Sequence, residues 1–350
     1  MPNPASPIRP PVLSAGDTVA VISPSAGLTG VFADRFQRGL AELHARFGVE
    51  VVMAPNAHRD NGFLHDNPQA RIDDIHWALT EPSVSALICA IGGDDSVRLV
   101  PHLDLDLVRA NPKVLMGYSD PTVLHLVWRA AGVVSFYGPG ILAGFDENGG
   151  LWEHTEQSVR RTLFGTEPVG ALHPAPGWTE EFLDWTDEAA QRPRRRVPNG
   201  GWTWLGGDAV VEGPLIGGCL EVLAMALASP VWPPAEAFDG AVLAFETSEE
   251  APSVDQVKYF LRAIAGGGAF ERLAAVLVGR PMHYSLKDTW RQYETVAAVA
   301  REFGRPDLPI VGGLDFGHTV PHTVLPFGLP VRVDPGEQTI TLPESGVSPR

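Results

Sequence analysis

Ser119 lies where a short apolar strand pattern gives way to a helix. Residues 113–120 read KVLMGYSD, and Pro121 suits the first turn of the helix that follows. A serine at such a turn exposes its hydroxyl at the carboxyl edge of a sheet, near the positive end of the helix dipole, and can act there as a nucleophile. Hydrolase turns of this kind have a glycine two residues after the serine, where this chain has Pro121. A plain helix cap is therefore the alternative.

The preceding strand pattern ends in the sequence IGGDD, residues 91–95. Glycine amides at this position can approach a ligand closely, and one of them together with the Asp120 amide would form a two-donor oxyanion hole. Such a hole would stabilise the negative charge that develops when a hydroxyl attacks a carbonyl group. The alternative is an ordinary turn capped by Asp94.

A serine nucleophile requires an imidazole base, and the base requires a carboxylate that orients it. Among the eleven histidines, His318 is distinguished because it follows GLDFG, residues 313–317, at the end of an apolar strand pattern. Glu246 closes the apolar run AVLAFE, and a buried glutamate of this kind needs a partner. These two residues are the candidate base and orienting carboxylate.

A metal site is the alternative role for the segment around His318. His322 lies four residues further on, which is a spacing found in metal-binding helices. Pro321 stands between the two histidines and argues against the helix that would place both on one face. We therefore expect no metal ion, and no motif predicts another cofactor.

The charge composition limits the class of partner. The chain has 26 basic and 42 acidic residues, and its net charge of −16 repels nucleic acid and anionic membranes. Residues 1–11 contain several prolines and no apolar run, and no later segment approaches the ~20 apolar residues that cross a bilayer. We expect neither a signal peptide nor a membrane anchor, and a cytoplasmic protein. Cys89 and Cys219 have apolar or glycine neighbours and are predicted to be buried free thiols.

The length of 350 residues favours two domains. Strand and helix patterns alternate in the first half, which predicts a parallel sheet covered on both faces, with ligands beyond the carboxyl ends of its strands. Periodicity fails between residues 167 and 207, where prolines, glycines and tryptophans mix with a basic run. We expect a first α/β domain at 1–170, a linker and substrate-covering loop at 171–207, and a second domain at 208–350.

Four segments together resemble the LD-carboxypeptidase family of serine peptidases. They are GYSD at 117–120, LIGGCLEVL at 215–223, AFETSEEAPS at 244–253 and GLDFGHT at 313–319. The match runs from about residue 16 to residue 333. Within the family, the ETSEE segment and the GWTWLGG stretch at 201–207 are most similar to the microcin C immunity branch.

The resemblance implies a catalytic triad of Ser119, Glu246 and His318, with the amides of Gly93 and Asp120 as the oxyanion hole. It also implies an α/β fold in which a flavodoxin-like, parallel-sheet N-terminal domain joins a smaller β-rich α/β C-terminal domain. The site would lie at their interface, and the usual assembly would be a homodimer.

The resemblance to the immunity branch also implies a mobile loop whose aromatic residue covers a nucleotide-like substrate. Trp202 or Trp204 could stack on a base there. The basic run could meet a phosphate or sulfamate group, or it could be a solvated loop with the tryptophans packed on the body of the protein. Asp94 and Glu249 complete the candidate substrate contacts.

The first functional hypothesis is a peptidase or amidase that cleaves the amide between an amino acid or short peptide and a nucleotide-like group. Cys219 and Glu221 stand where murein-directed members are expected to have asparagine and serine types, so release of terminal D-alanine from a murein tetrapeptide is the second. A third is a ligand-binding homologue without turnover. A nicotinamide-dependent enzyme is more distant, since no G-x-G-x-x-G follows the first strand.

Overall fold

The computed structural model describes residues 6–187 and 191–350. Its strands are β1 Thr18–Ile22, β2 Glu50–Met53, β3 Val84–Cys89, β4 Val114–Gly117, β5 Ser135–Tyr137, β6 Gly170–Leu172, β7 Gly177–Trp178, β8 Val197–Pro198, β9 Thr203–Leu205, β10 Val211–Cys219, β11 Val242–Glu246, β12 Ala275–Gly279, β13 Ile310–Leu314, β14 Leu325–Phe327, β15 Pro330–Asp334 and β16 Thr339–Leu342. Its α-helices are α1 Ala33–Phe47, α2 Asn61–Asp66, α3 Pro68–Thr80, α4 Leu105–Ala110, α5 Thr122–Ala130, α6 Glu153–Leu163, α7 Leu220–Ala226, α8 Val254–Gly266 and α9 Leu286–Glu302.

The first sheet contains five parallel strands in the order β5-β4-β3-β1-β2, with β14 added antiparallel to β5. The parallel part has the 2-1-3-4-5 order of flavodoxin-like folds, which confirms the predicted fold of this half. Strand β4 is buried along its whole length, because helices cover both faces of such a sheet.

The second sheet has the order β6-β16-β15-β10-β11-β12-β13-β9. Its four central strands, β10 to β13, run parallel, and antiparallel strands flank them on both sides. Helix α8 begins with the capping box that Ser253 and Gln256 predict from their spacing. The mixed α/β architecture predicted from the sequence is confirmed.

The two halves of the chain exchange strands. Strand β6 comes before the central strands of the second sheet in the sequence and forms the edge of that sheet. Strand β14 comes after those central strands and joins the first sheet. This exchange ties the two sheets together and brings the ends of β4 and β5 close to the ends of β11 and β13. The predicted domain boundaries at residues 170 and 207 stay predictions.

Candidate active site

Ser119 occupies a sharp turn between β4 and α5, as its sequence context predicts. Its φ of 68° lies in the left-handed region, which costs a non-glycine residue about 1–3 kcal/mol. The turn is held by the Ser119 amide, which donates to the Tyr137 hydroxyl at 3.1 Å. The chain also passes very close to the preceding strand end, because a Cβ placed on Gly92 would lie 2.9 Å from the Ser119 Oγ. Such strain fits a residue that is held in place for a chemical role.

Glu246 ends β11 and is fully buried. Its Oε1 accepts a hydrogen bond from the Tyr137 hydroxyl at 2.5 Å, and its Oε2 lies 2.7 Å from Nδ1 of His318. Both carboxylate oxygens therefore have partners, which satisfies the requirement that the sequence raised for this residue. Gly317 closes the space beside it, since a Cβ there would lie 2.4 Å from the Glu246 Cγ.

His318 is held between two carboxylates. Its Nδ1 faces Glu246, and its Nε2 lies 3.0 Å from Oε2 of Glu249. Burial lowers the pKa of His318, but the charges and hydrogen bonds of the two glutamates outweigh burial and raise the pKa to about 10. The edge of the imidazole contacts the Tyr118 ring, with centroids 5.0 Å apart.

The two carboxylates differ in exposure. The Glu246 side chain is 0% exposed, whereas that of Glu249 is 60% exposed. The hydrogen bond with His318 lowers the pKa of Glu249 to about 2, against the opposing effect of burial. Glu249 is therefore an anion on the open side of the imidazole.

Tyr137 is a site residue that our sequence reasoning missed. It ends β5, which pairs with β4 so that Tyr137 is opposite Gly117. Its hydroxyl joins the Ser119 amide to the Glu246 carboxylate, and burial together with the Glu246 charge raises its pKa, so it stays a neutral donor. The signal was a polar aromatic at the carboxyl end of a strand adjacent to the serine strand.

The residues of the predicted oxyanion hole lie beside Ser119. Gly93 follows the end of β3 with a φ of 149°, and a Cβ there would lie 2.1 Å from the Ser25 Oγ, so glycine is required. Among the described residues, neither the Gly93 amide nor the Asp120 amide donates a hydrogen bond. The Asp120 carboxylate is buried and accepts from the Ser96 amide at 2.9 Å, which anchors the turn.

A pocket of about 290 Å³ opens onto these groups. Ser119, His318, Glu249 and Gly93 line it, and so do the aromatic side chains Phe182 and Trp185. The exposed Asp94 is not among the lining residues.

Two aromatic side chains of the pocket, Phe182 and Trp185, belong to the segment that follows β7. Phe182 is 65% exposed, and its ring centroid lies 6.4 Å from that of Trp185. Trp185 packs edge-on against Phe32 at 5.1 Å and lies under the Arg35 guanidinium at 4.6 Å. Phe182 and Trp185 therefore form an aromatic wall of the pocket, in which Trp185 is packed against the protein and Phe182 is largely exposed to solvent.

Trp202 and Trp204 do not line this pocket. Strand β9 pairs with β13, so that Trp204 is opposite Val311, and both indoles pack partly buried against the core of the second sheet. The sequence-based expectation that one of them contacts the substrate has no counterpart in the geometry of the pocket. The reason is that β9 adds to a sheet edge, so that Trp204 in the strand and Trp202 just before it pack against the body of the protein.

The basic run of the same segment is largely engaged in ion pairs. Arg192 binds Glu181, and Arg194 binds Glu147. Arg196 instead lies over the Trp152 ring, 4.0 Å from its centroid. Of these three, Arg194 lines the pocket.

Three further features concern metal ligands, membrane-spanning helices and cysteines. Within residues 6–187 and 191–350, no group of three or more His, Cys, Asp or Glu side chains converges as a metal site would require. Over the same residues, no helix is sufficiently long and apolar to cross a membrane. Cys89 and Cys219 are buried free thiols, as predicted.

Known proteins resemble this chain over nearly its whole length. The microcin C7 self-immunity protein MccF from Escherichia coli is 28% identical over 339 residues, which cover 96% of each chain. A probable murein peptide carboxypeptidase from Bacillus subtilis is 29% identical over 352 residues, covering 97% of this chain and 95% of the other. The structure of MccF in complex with aspartyl sulfamoyl adenosine superposes with a TM-score of 0.86 at 28% identity, covering 98% of this chain and all of that one.

Family models agree with these relatives. The model of the LD-carboxypeptidase N-terminal domain matches residues 19–138, and that of the C-terminal domain matches residues 212–333. The first match contains Ser119, and the second contains Glu246 and His318. The chain thus belongs to the LD-carboxypeptidase family of peptidases.

Proposed function

We propose that this protein is a serine amidase that hydrolyses the amide between an amino acid or short peptide and a nucleotide-like leaving group. The observation that carries the proposal is the hydrogen-bonded series from the Ser119 amide through Tyr137 and Glu246 to His318, with Ser119 and His318 lining one pocket. The contact between His318 and Glu246 supports a base with its orienting carboxylate, and the position of Ser119 in the same pocket supports its role as the nucleophile of acyl transfer.

The roles follow from the chemistry of the groups. The Ser119 Oγ attacks the carbonyl carbon while Nε2 of His318 takes its proton. The tetrahedral intermediate collapses, the bond from carbon to nitrogen breaks, and the leaving nitrogen takes the proton from His318. Water, deprotonated by His318, then cleaves the ester on Ser119. Glu246 holds Nδ1 and stabilises the imidazolium at each stage.

The oxyanion of both intermediates needs donors that are not used elsewhere. The amides of Gly93 and Asp120 meet this condition, since neither donates within the part of the chain that the structure describes. Removing one such donor typically costs about 10²–10³ in kcat. We propose these two amides as the oxyanion hole.

A nucleotide-like leaving group is supported by the aromatic wall and by one relative. The exposed Phe182 and the adjacent Trp185 offer ring faces on which a base can stack. The similar MccF protein has been solved in complex with aspartyl sulfamoyl adenosine. Arg194 and Arg35, in the same pocket, are the candidate partners of the phosphate-like linkage.

Incubation with an aminoacyl sulfamoyl adenosine tests the proposal. We expect release of the free amino acid and of sulfamoyl adenosine, which chromatography separates, and loss of this release in Ser119→Ala. The matched control is Ser83→Ala, an exposed serine outside the pocket, which should retain activity. No release by the wild-type protein would refute the proposed substrate class.

Release of terminal D-alanine from a murein tetrapeptide is the second candidate. Its support is the similarity to the murein peptide carboxypeptidase relative, at 29% identity over nearly the whole chain. The same assay with murein tetrapeptide decides between the two. Release of D-alanine without hydrolysis of the aminoacyl nucleotide would exchange the first candidate for the second.

We also propose a homodimeric protein of the cytoplasm, as is usual for the family that it resembles. Sedimentation equilibrium measures the mass directly, and the chain mass of 37.6 kDa gives the expected dimer as twice that value. A monomer at micromolar concentration would contradict the proposed assembly.

A further inference from the structure

The Glu249 carboxylate lies against Nε2 of His318, the nitrogen with which the proposed base would accept a proton. Nε2 of His318 must accept the Ser119 proton, yet it lies 3.0 Å from Oε2 of Glu249, while Nδ1 lies 2.7 Å from Glu246. Ionised carboxylates only accept hydrogen bonds. Both nitrogens must therefore carry protons in this arrangement. An imidazolium held in this way cannot activate a serine.

The exposure of Glu249 allows it to leave. Glu249 lies in the loop after β11, and its side chain is 60% exposed. Glu246 is instead enclosed by β11 itself and by Gly317. Losing one exposed ion pair costs little, because solvent compensates a carboxylate that moves into water. Glu249 is thus the movable partner of His318, and Glu246 is the fixed one.

The other charged groups of the pocket already have partners. Arg35 binds Asp146 at 2.7 Å, Arg194 binds Glu147, and Glu181 binds Arg192. Glu249 has His318 alone as its ion-pair partner among the described residues. When His318 turns to Ser119, the pocket gains one uncompensated anion next to the reacting carbon. A cationic group on the substrate would fill that position.

We propose that Glu249 is a substrate-displaced latch, which holds His318 as an imidazolium in the free enzyme and moves to an ammonium group on the acyl part of the substrate. This inference rests on the proposed function and names its substrate class: amides of amino acids or peptides with a free amine near the scissile carbonyl. An α-ammonium is two bonds from that carbon, which suits a carboxylate in contact with the base. On exchange, the ammonium replaces the imidazolium as partner, and the imidazole releases its proton to solvent.

The groups that face His318 come from three parts of the chain. Glu246 and Glu249 lie on β11 and the loop after it, Tyr118 precedes the nucleophile, and His322 follows on the same segment as His318. Burial lowers the pKa of His322 to about 4 and raises that of Tyr118, so both stay neutral at ordinary pH. The two glutamates are therefore the anions that hold the imidazolium.

The latch predicts two different pH profiles. The acid limb of kcat/KM reports the free enzyme, in which His318 has a pKa of about 10, so kcat/KM should rise with pH until the substrate ammonium begins to lose its proton, at about pH 8. The acid limb of kcat reports the complex, in which Glu249 has left, and should lie at lower pH. If Glu249 only stabilised the structure, the acid limbs of kcat/KM and of kcat would have the same pKa.

NMR of ¹³C-labelled histidine in the Ser119→Ala protein tests the latch without turnover, with the His318 signal assigned by its loss in His318→Gln. The probes are alanyl sulfamoyl adenosine and its N-acetyl form. We expect the free-amine ligand to lower the His318 titration midpoint by about one pH unit or more and the acetylated ligand to leave it unchanged. Adding Glu249→Gln should lower the midpoint of the unliganded protein and abolish the ligand effect. Glu294→Gln, the same charge change on the exposed surface of α9, should alter neither.

The outcomes separate the latch from the proposed function. Equal midpoints with both ligands, or an unchanged midpoint in Glu249→Gln, would overturn the latch, even if the wild-type enzyme hydrolyses the substrates. Absence of hydrolysis by the wild-type enzyme would overturn the proposed function, while the NMR titration would still decide the latch. Turnover supplies the rate readout: Glu249→Gln should reduce the kcat/KM preference for the free-amine substrate about tenfold or more.

Discussion

The two sides of the His318 imidazole are built differently. On the enclosed side, Glu246 ends a buried strand and shares its carboxylate between His318 and Tyr137, with no exposed surface. On the open side, Glu249 lies in a loop, and the pocket continues to the aromatic residues Phe182 and Trp185. In the proposed mechanism, the enclosed side sets the geometry of the reaction, and the open side admits and distinguishes substrates. Substitutions on the two sides should therefore have different kinetic signatures.

The largest expected effect is on the enclosed side. In Glu246→Gln, the amide cannot stabilise the imidazolium and favours the wrong tautomer, so kcat should fall about 10⁴-fold, as for carboxylate-to-amide changes in other triads. The same change at Glu249 should lower kcat by less than about tenfold, because in the complex Glu249 contacts the substrate ammonium and not the reacting atoms. Steady-state kinetics of the two variants make the comparison. Equal losses of kcat would remove the distinction between the two sides.

The backbone around Glu246 should be nearly as sensitive. In Gly317→Ala, the new Cβ would lie 2.4 Å from the Glu246 Cγ at a φ of 99°, so the carboxylate must shift. A displacement of about 1 Å costs about 10²-fold in rate. The matched control is Gly304→Ala, with a φ of 76° and open space around the Cβ, which isolates the backbone strain. If kcat is unchanged in a folded Gly317→Ala protein, the packing of Glu246 does not set the geometry.

On the open side, Trp185→Ala should weaken binding without changing the chemistry. Stacking on a base contributes about 1–3 kcal/mol, so the Kd for adenosine monophosphate should rise roughly 30-fold. Trp204→Ala is the control, since Trp204 packs against the core of the second sheet and should change the thermal midpoint rather than the Kd. Titration calorimetry measures the Kd, and scanning calorimetry measures the thermal midpoint. A weaker complex in Trp204→Ala with an unchanged one in Trp185→Ala would restore the expectation from the sequence.

A modest effect on the enclosed side is expected for Tyr137→Phe. The change removes the hydroxyl that joins the Ser119 amide to Glu246, but His318 keeps its own contact with Oε2. We expect about a fivefold loss in kcat, since a single hydrogen bond contributes about 1 kcal/mol. The measurement is kcat at saturating substrate. A loss as great as in Glu246→Gln would mean that the tyrosine acts directly on the reacting atoms.

The same two sides differ in how well the sequence predicts them. Ser119 follows β4 and Glu246 ends β11, and both strands are recognised in the sequence by their apolar runs. The carboxyl ends of parallel strands meet at one edge of a sheet, where ligands bind. The flavodoxin-like fold implied by the family resemblance and the capping box predicted for α8 are also confirmed. Tyr137 ends a predicted strand to which the same rule applies, but nothing in the sequence around it indicates that its hydroxyl joins Ser119 to Glu246.

The open side could not be predicted in this way. Residues 167–207 lack periodicity, and their local sequence does not distinguish Trp202 and Trp204 from the aromatic residues that line the pocket. Strand β9, which contains Trp204, pairs with β13, a strand about a hundred residues away in the sequence. The same holds for Glu249, whose contact with His318 depends on the course of a loop. Such contacts arise from tertiary packing, so a single sequence does not specify them.

Covalent labelling tests the central claim most directly. After incubation with a fluorophosphonate, peptide mass spectrometry should find the adduct on Ser119 of the folded wild-type protein. In the Glu249→Gln background, where only Glu246 faces the imidazole, adding His318→Ala should slow labelling about 10²-fold or more, because the base that activates the hydroxyl is gone. Folded protein that remains unlabelled, or is labelled at another residue at the same rate with and without His318, would contradict the account and favour a ligand-binding protein without turnover.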